Sequence, residues 1–378
     1  MESFLPGLGN CYSEDRSFLR RSVVQAMSYD AILVVSFGGP DKKADVIPFL
    51  ENVLRGKDVP HERMLAVAEH YYHFDGKSPI NEQNRNLIAA LEKELAEHRI
   101  ELPVYWGNRN WHPLLADTLG EMKRDGVKRA LAFFTSAFSS YSGCRQYREN
   151  LAVAREAVGA GAPSVDKLRV FYNHPGFIEA VADYTIGGLR RLTEAERGKA
   201  KLVFTAHSIP LSMAQSSEYQ QQLEEASRLV AEQVTSERGG RNDFDLVYQS
   251  RSGPPTQPWL EPDILDFLCQ YKQGGGSDPV VIVPIGFVSD HMEVLYDLDT
   301  EAKDLCAKIG LRMVRVPCAG THPRFVNMIR ELIVERMALP EGSADVERPA
   351  LGVLGPSHDV CPSDCCPAPR RPVRASKD

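Results

Sequence analysis

The 378-residue chain contains no run of about eighteen apolar residues, which excludes a helix that crosses a membrane. It also lacks a basic excess: 44 Lys and Arg stand against 51 Asp and Glu, a formal charge of −7. That balance argues against a nucleic-acid binder, which needs a basic face, while leaving room for a local basic patch that meets an anionic small molecule. The first 27 residues, MESFLPGLGNCYSEDRSFLRRSVVQAM, have no continuous apolar core of the kind an export signal needs, and they carry Glu14, Asp15 and two late arginines. They read as a poorly ordered extension, with Met27 offering a start directly before the first strand. Eight cysteines without an export signal point to the cytoplasm, and to thiols or metal ligands rather than disulfides.

What is present is ordinary in amount and particular in arrangement. Hydrophobic residues make up 43% and charged residues 25%, as in a soluble globular protein, and the length suggests two domains. AILVVSF (31–37), VYWG (104–107), ALAFFTS (130–136), KLVFTAHS (201–208), LVYQS (246–250) and VVIVPIGF (280–287) read as buried strands bounded by Gly, Pro or Ser. Amphipathic stretches lie between them, such as 84–98 and 218–234. Strands alternating with helices predict an α/β protein with parallel sheets flanked by helices. SFGGP (36–40) and AHSIP (206–210) each end an apolar strand four positions before a proline. FSSYSGCRQY (138–147) and FVSDHMEVLY (287–296) share Phe, Ser and Tyr at equal spacing. A faint repeat of this kind, against the alternative of coincidence, suggests two similar halves. The layout expected is an extension over 1–27, halves at 28–188 and 189–345 with the last helix packing back on the first half, and a tail at 346–378.

In doubly wound halves, ligands bind beyond the carboxyl ends of the strands. His207 stands at such an end, as do Phe37, the segment 139–147 and His291–Glu293. After the strand that ends near 287, acidic residues recur at 290, 293, 297 and 301, on one side of a helix. Such a row is either a solvated face or, opening with His291 at a strand end, a path of ligands for a labile divalent ion such as Fe(II). Tyr71, Tyr72, His73 and Phe74, the two tryptophans of YWGNRNWHP and Trp259 either pack in the core or wall a slot for a broad flat apolar ligand.

Taken in order, SFGGP, GKSPIN, AHSIP, QSRSGPPTQPWLEPD and GFVSDHMEVLYD resemble the ferrochelatase family, from about residue 29 to residue 335. The likeness is greatest to the soluble bacterial branch and, within it, to the actinobacterial type that acts on coproporphyrin III. The resemblance implies two flavodoxin-like (Rossmann-like) domains with a porphyrin cleft between them, and insertion of Fe(II) into the porphyrin with loss of two pyrrole protons. It implies His207 as proton acceptor or metal ligand, and Glu293 as the carboxylate that binds iron or relays protons. Asp297 and Glu301 would continue the path, with His291 in support. Phe37, Tyr71, Ser78 and Tyr147 would touch the porphyrin, and Arg55 is a candidate partner for a propionate. Where some relatives have an iron-ligating tyrosine, Phe37 cannot ligate. Cys144, Cys361, Cys365 and Cys366 match the positions that hold a [2Fe–2S] cluster in several members, with zinc or free thiols as alternatives. Four propionates make coproporphyrin III soluble, which suits a chain without a membrane anchor. Protoporphyrin IX is the alternative substrate. Another tetrapyrrole chelatase and a non-catalytic porphyrin or iron–sulfur carrier are the alternative functions. A monomer is expected.

Overall fold

The computed structural model describes residues 29–57, 59–253, 256–338 and 346–368. The extension expected over 1–27 lies outside the described residues, as do Pro254 and Pro255 of the proline-rich loop. Among the described residues eight strands appear: β1 Ala31–Ser36, β2 Val104–Asn108, β3 Arg129–Phe134, β4 Ser164–Lys167, β5 Lys201–His207, β6 Phe244–Gln249, β7 Val280–Val283 and β8 Met313–Arg315. They form two parallel four-stranded sheets, ordered β2-β1-β3-β4 and β6-β5-β7-β8.

Side-chain alternation explains why these strands lie between two layers of helices. In β1, Ala31, Leu33 and Val35 face Leu115, Leu119 and Met122, while Ile32 and Val34 face the other way. β5 does the same, with Val203 turned outward and Leu202 and Phe204 inward. The inward faces of both sheets contribute to one continuous core with the helices Pro175–Arg190, Tyr219–Arg238 and Pro323–Ala338. Strands apolar on both faces require this double cover. Arg330 in the last helix donates to Glu94 in the helix Ile80–Glu97 at 2.8 Å, so the C-terminal helix is tied to the first half.

The halves share more than strand order. Each follows its first strand with a helix, Ile80–Glu97 or Tyr219–Arg238, whose fourth residue is a glutamine that clamps the other half. Gln83 accepts from the Asp290 N–H at 2.8 Å and donates to the Asp290 carbonyl at 2.9 Å. Gln222 accepts from the Ser139 N–H at 2.7 Å and donates to the Ser139 hydroxyl at 3.0 Å. Each half also follows its third strand with a π-helical segment, Tyr141–Arg145 or Leu295–Ala302. Such segments are rare and concentrate at functional sites.

Two differences from the sequence reading have simple causes. The strand expected over 280–287 stops at Val283, because Pro284 has no N–H to continue the ladder. β4 and β8 were not foreseen, being four- and three-residue sheet edges without an apolar run.

Candidate active site

The carboxyl end of β5 is the centre of the site. His207 is its last residue and pairs with Gln249 of β6. The His207 Nδ1 lies 2.5 Å from the Ser208 carbonyl, which can only accept, so Nδ1 carries the hydrogen. When the ring is neutral, its lone pair is therefore on Nε2. That nitrogen lies 3.8 Å from a carboxylate oxygen of Glu293. The two side chains keep 31% and 46% of their exposure, so both remain open to a ligand. A gap of 3.8 Å is too long for a hydrogen bond, yet one divalent ion about 2.1 Å from each atom fits between them. The buried Tyr219 fixes the strand end by donating to the His207 carbonyl at 3.0 Å. Gly286 allows the chain after β7 to pass there: an added Cβ would lie 2.6 Å from the Ala206 Cα.

Glu293 is placed by the ring of His291. The Glu293 N–H donates to His291 Nδ1 at 3.2 Å, which caps the helical segment that begins at Met292. Burial lowers the His291 pKa despite the nearby Glu293 carboxylate, keeping the ring in the neutral form that can accept this bond. Asp297 follows within the π-helical segment, where it accepts from the Ser250 hydroxyl and from Gln249 Nε2 at 3.2 Å. Ser250 has φ +61°, a left-handed backbone that is costly for a residue with a side chain, and strain of this kind gathers at functional sites. Burial pushes the Asp297 carboxyl up to about 7, with the Ser250 hydroxyl opposing the rise and Glu293 and Glu301 adding to it. Glu301 is also raised, by burial and then by Asp263. Asp290 leaves the acidic row altogether. It precedes the helical segment and pairs with Arg315 at 2.6 Å, so it holds β8 rather than a ligand.

Because the folded Asp297 titrates higher than an unfolded aspartate, near 3.9, its stabilising protonation is complete below about pH 4 and is lost as pH rises through 7. Asp297→Asn, neutral throughout, should therefore gain thermal stability relative to the parent as pH goes from 5 to 8. Unfolding midpoints at both values test this. An equal difference at the two would overturn it.

The expected porphyrin contacts fall into three groups. Tyr71 sits on the helix His61–His73, edge-on to Phe49 at 5.7 Å, and its phenol is raised by burial and then by the Glu293 charge. Phe37 and Tyr147 are joined by a residue that the sequence reading missed, Arg109. Its guanidinium lies 5.7 Å from the Phe37 ring and 4.3 Å from the Tyr147 ring. It is held there by Asn150 at 2.7 Å and the Ser142 carbonyl at 3.3 Å. Ser78 is buried under Gly39, where a Cβ would meet its side chain at 2.7 Å. Arg55 is exposed at the end of the helix Val46–Leu54. Gln83, Gln249 and Ser250 were also missed. A polar residue ending the buried strand LVYQS was the one local signal, and it marked Gln249.

The four cysteines singled out in the sequence do converge. The Cys144 thiol, buried in the π-helical segment Tyr141–Arg145, donates to Cys361. That bond, with the Lys167 and Arg148 charges, holds Cys361 well below the usual thiol range. Cys365 and Cys366 lie 3.6 Å apart, and Cys366 has φ +51°, the sharp turn that adjacent cysteines need to face one centre. Arg145 donates to the Ser363 and Cys365 carbonyls at 3.0 and 3.1 Å.

Among the described residues, no helix is long and apolar enough to cross a membrane. The sequence profile of the ferrochelatase family matches residues 29–337. A ferrochelatase from Rhodopirellula baltica is 60% identical over 345 residues, covering 91% of this chain and 95% of that one. A coproporphyrin III ferrochelatase from Streptomyces griseus is 52% identical over 364 residues, covering 93% and 96%. Among solved structures, SirB from Bacillus subtilis with Fe3+ shares the fold, with a TM-score of 0.50 and 12% identity over 85% of this chain and all of that one. With a strand-end histidine facing a carboxylate, two parallel α/β halves and a profile match over most of its length, the chain belongs to the ferrochelatase family.

Proposed function

We propose that this protein inserts Fe(II) into coproporphyrin III, yielding the iron porphyrin and two protons. The observation that carries the reading is the His207–Glu293 pair, 3.8 Å apart at the end of β5 and open to a ligand. The inner N–H groups of a free porphyrin block the metal and are weak acids, so insertion needs a base held at the ring face. His207 serves as that base: its Nδ1–H is committed to the Ser208 carbonyl, which aims the Nε2 lone pair at the substrate. Glu293 receives the ferrous ion beside it, and His291 holds Glu293 in place through its N–H. Asp297, with a carboxyl near 7, exchanges protons at working pH, and Glu301 extends the path to solvent. Tyr71 and Phe37 stack on the macrocycle, Ser78 and Tyr147, the latter buried against Phe134, pack behind them, and Arg109 orders Phe37 and Tyr147. Arg55 and Lys57, the latter close enough to feel the Arg109 charge, supply cations for propionates.

The Streptomyces griseus relative is named for coproporphyrin III, whereas the more similar Rhodopirellula baltica relative is named for no particular porphyrin. An anaerobic assay with Fe(II), run in parallel on coproporphyrin III and protoporphyrin IX, tests the choice. At least tenfold higher kcat/KM for coproporphyrin III is expected. The reverse preference would overturn the substrate and keep the reaction, and no insertion into either would overturn both.

The convergent cysteines support a resident [2Fe–2S] cluster, since two thiol pairs, Cys144 with Cys361 and Cys365 with Cys366, stand ready and the cations Arg145, Arg148 and Lys167 offset thiolate charge. Such a cluster supplies one-electron chemistry when bound, which metal insertion does not use. Its role on this reading is to pin the tail to the first half. The cytoplasm remains the compartment that fits free thiols.

A further inference from the structure

The tail brings a fifth donor to the cysteines, and the sequence reading gave it no part. His358 Nε2 lies 3.6 Å from Cys365 Sγ. His358, Cys361 and Cys365 each offer one donor atom, and these atoms lie within 4.8 Å of one another. No other set of three His, Cys, Asp or Glu residues among the described residues meets that spacing.

We infer that His358, Cys361 and Cys365 form a mononuclear site for a divalent ion that prefers tetrahedral coordination, zinc being the chemical type, as an alternative loading of the tail to the four-thiolate set. Bonds of about 2.0 Å to imidazole and about 2.3 Å to thiolate put two donors on one tetrahedral ion about 3.5 Å apart, close to the observed 3.6 Å. Mixed imidazole and thiolate donors select zinc-like ions over the harder ferrous substrate. The backbone at His358 is held to the first half, since its carbonyl accepts from Lys167 Nζ at 3.4 Å. A flanking thiol fills the fourth position: Cys144 stands beside Cys361 and Cys366 beside Cys365. The tail thus has two loading states that share Cys361 and Cys365, and only the mononuclear one uses His358.

The test uses the full chain, reduced and metal-free under anaerobic conditions, titrated with Co(II) alone. Thiolate-to-cobalt charge transfer separates this site from the His207–Glu293 pair, which has no sulfur. The expected result is a thiolate band with tetrahedral d–d bands, saturating at one ion per chain. His358→Ala should weaken that binding at least tenfold and move the d–d bands, while Cys269→Ser, outside the tail, changes neither. His358 is exposed, so its removal should not unfold the chain. Unchanged binding in His358→Ala, or no thiolate band in the parent, would overturn the site. Reconstitution with iron and sulfide provides the second arm. A visible cluster chromophore of equal yield in parent and His358→Ala supports a histidine used by the mononuclear loading alone, and its loss in the variant alone would overturn that assignment. Its absence in both would count against the cluster reading while the cobalt result stands.

Discussion

His207→Ala is expected to lower metal insertion by about a hundred- to ten-thousandfold, the usual worth of a positioned general base, while porphyrin binding changes by no more than a few-fold. The asymmetry follows from the geometry. Nε2 is the one imidazole lone pair at the end of β5, because the neighbouring ring of His291 spends its own on the Glu293 N–H. The fold at this point does not depend on the His207 side chain: Tyr219 holds the backbone carbonyl, and Ser208 N–H donates to the Gln249 carbonyl at 2.8 Å. Turnover and porphyrin fluorescence quenching, measured on one preparation, separate the alternatives. Lost turnover with retained binding identifies the base. Retained turnover would move that role elsewhere, and a binding protein without catalysis predicts no turnover in the parent at all.

The largest effect on stability is expected away from the site, at the buried pair Arg169–Glu335. Arg169 donates through Nε and a terminal nitrogen to the two Glu335 oxygens at 2.7 and 2.9 Å, and to the Pro349 carbonyl at 2.8 Å. Both side chains are almost wholly buried. Glu335→Ala should cost about 3–5 kcal/mol, because it strands a guanidinium in the core. The double variant Arg169→Met with Glu335→Leu should recover most of that loss, since no charge is then left buried. Urea unfolding midpoints for the three proteins decide the matter. Equal losses for the single and double variants would show that the pair itself, rather than the stranded charge, sets the cost. The Glu335 carboxylate also accepts from Arg348 at 3.3 Å, and Arg348 in turn pairs with Asp359 at 2.8 Å. Glu335→Ala should therefore loosen the cysteine-bearing tail before the rest of the chain.

What the sequence made legible was whatever is written locally. Long apolar runs marked β1, β3 and β5, because burial on both faces leaves few polar positions to confuse the period. The edge strand SVDK carries an aspartate and a lysine, and its partner is more than thirty residues earlier, so nothing local betrayed it. Motif order joined His207 to Glu293, 86 positions apart in the sequence, and the structure sets them 3.8 Å apart. Spacing misled at Asp290, whose place three residues before Glu293 looked helical although the segment begins at Met292 and Arg315 claims the carboxylate. Residues that act through distant partners had no signature. Gln83 and Asp290 are 207 positions apart, and the stacking of Arg109 on two rings depends on how two strand-end loops meet the helix Gln146–Val158 that carries Tyr147.

The paired glutamine clamps fit a two-fold relation between the halves. Two copies of one ancestral unit, each reaching across with the fourth residue of the same helix, would be joined from the outset by reciprocal handshakes. Phe37 and His207 each stand three residues before a proline, beyond or at the end of the first strand of its sheet. On that arrangement one strand-end socket holds a ring that can only stack and the other a ring that can exchange a proton. The two handshakes hold those sockets in fixed register across the halves.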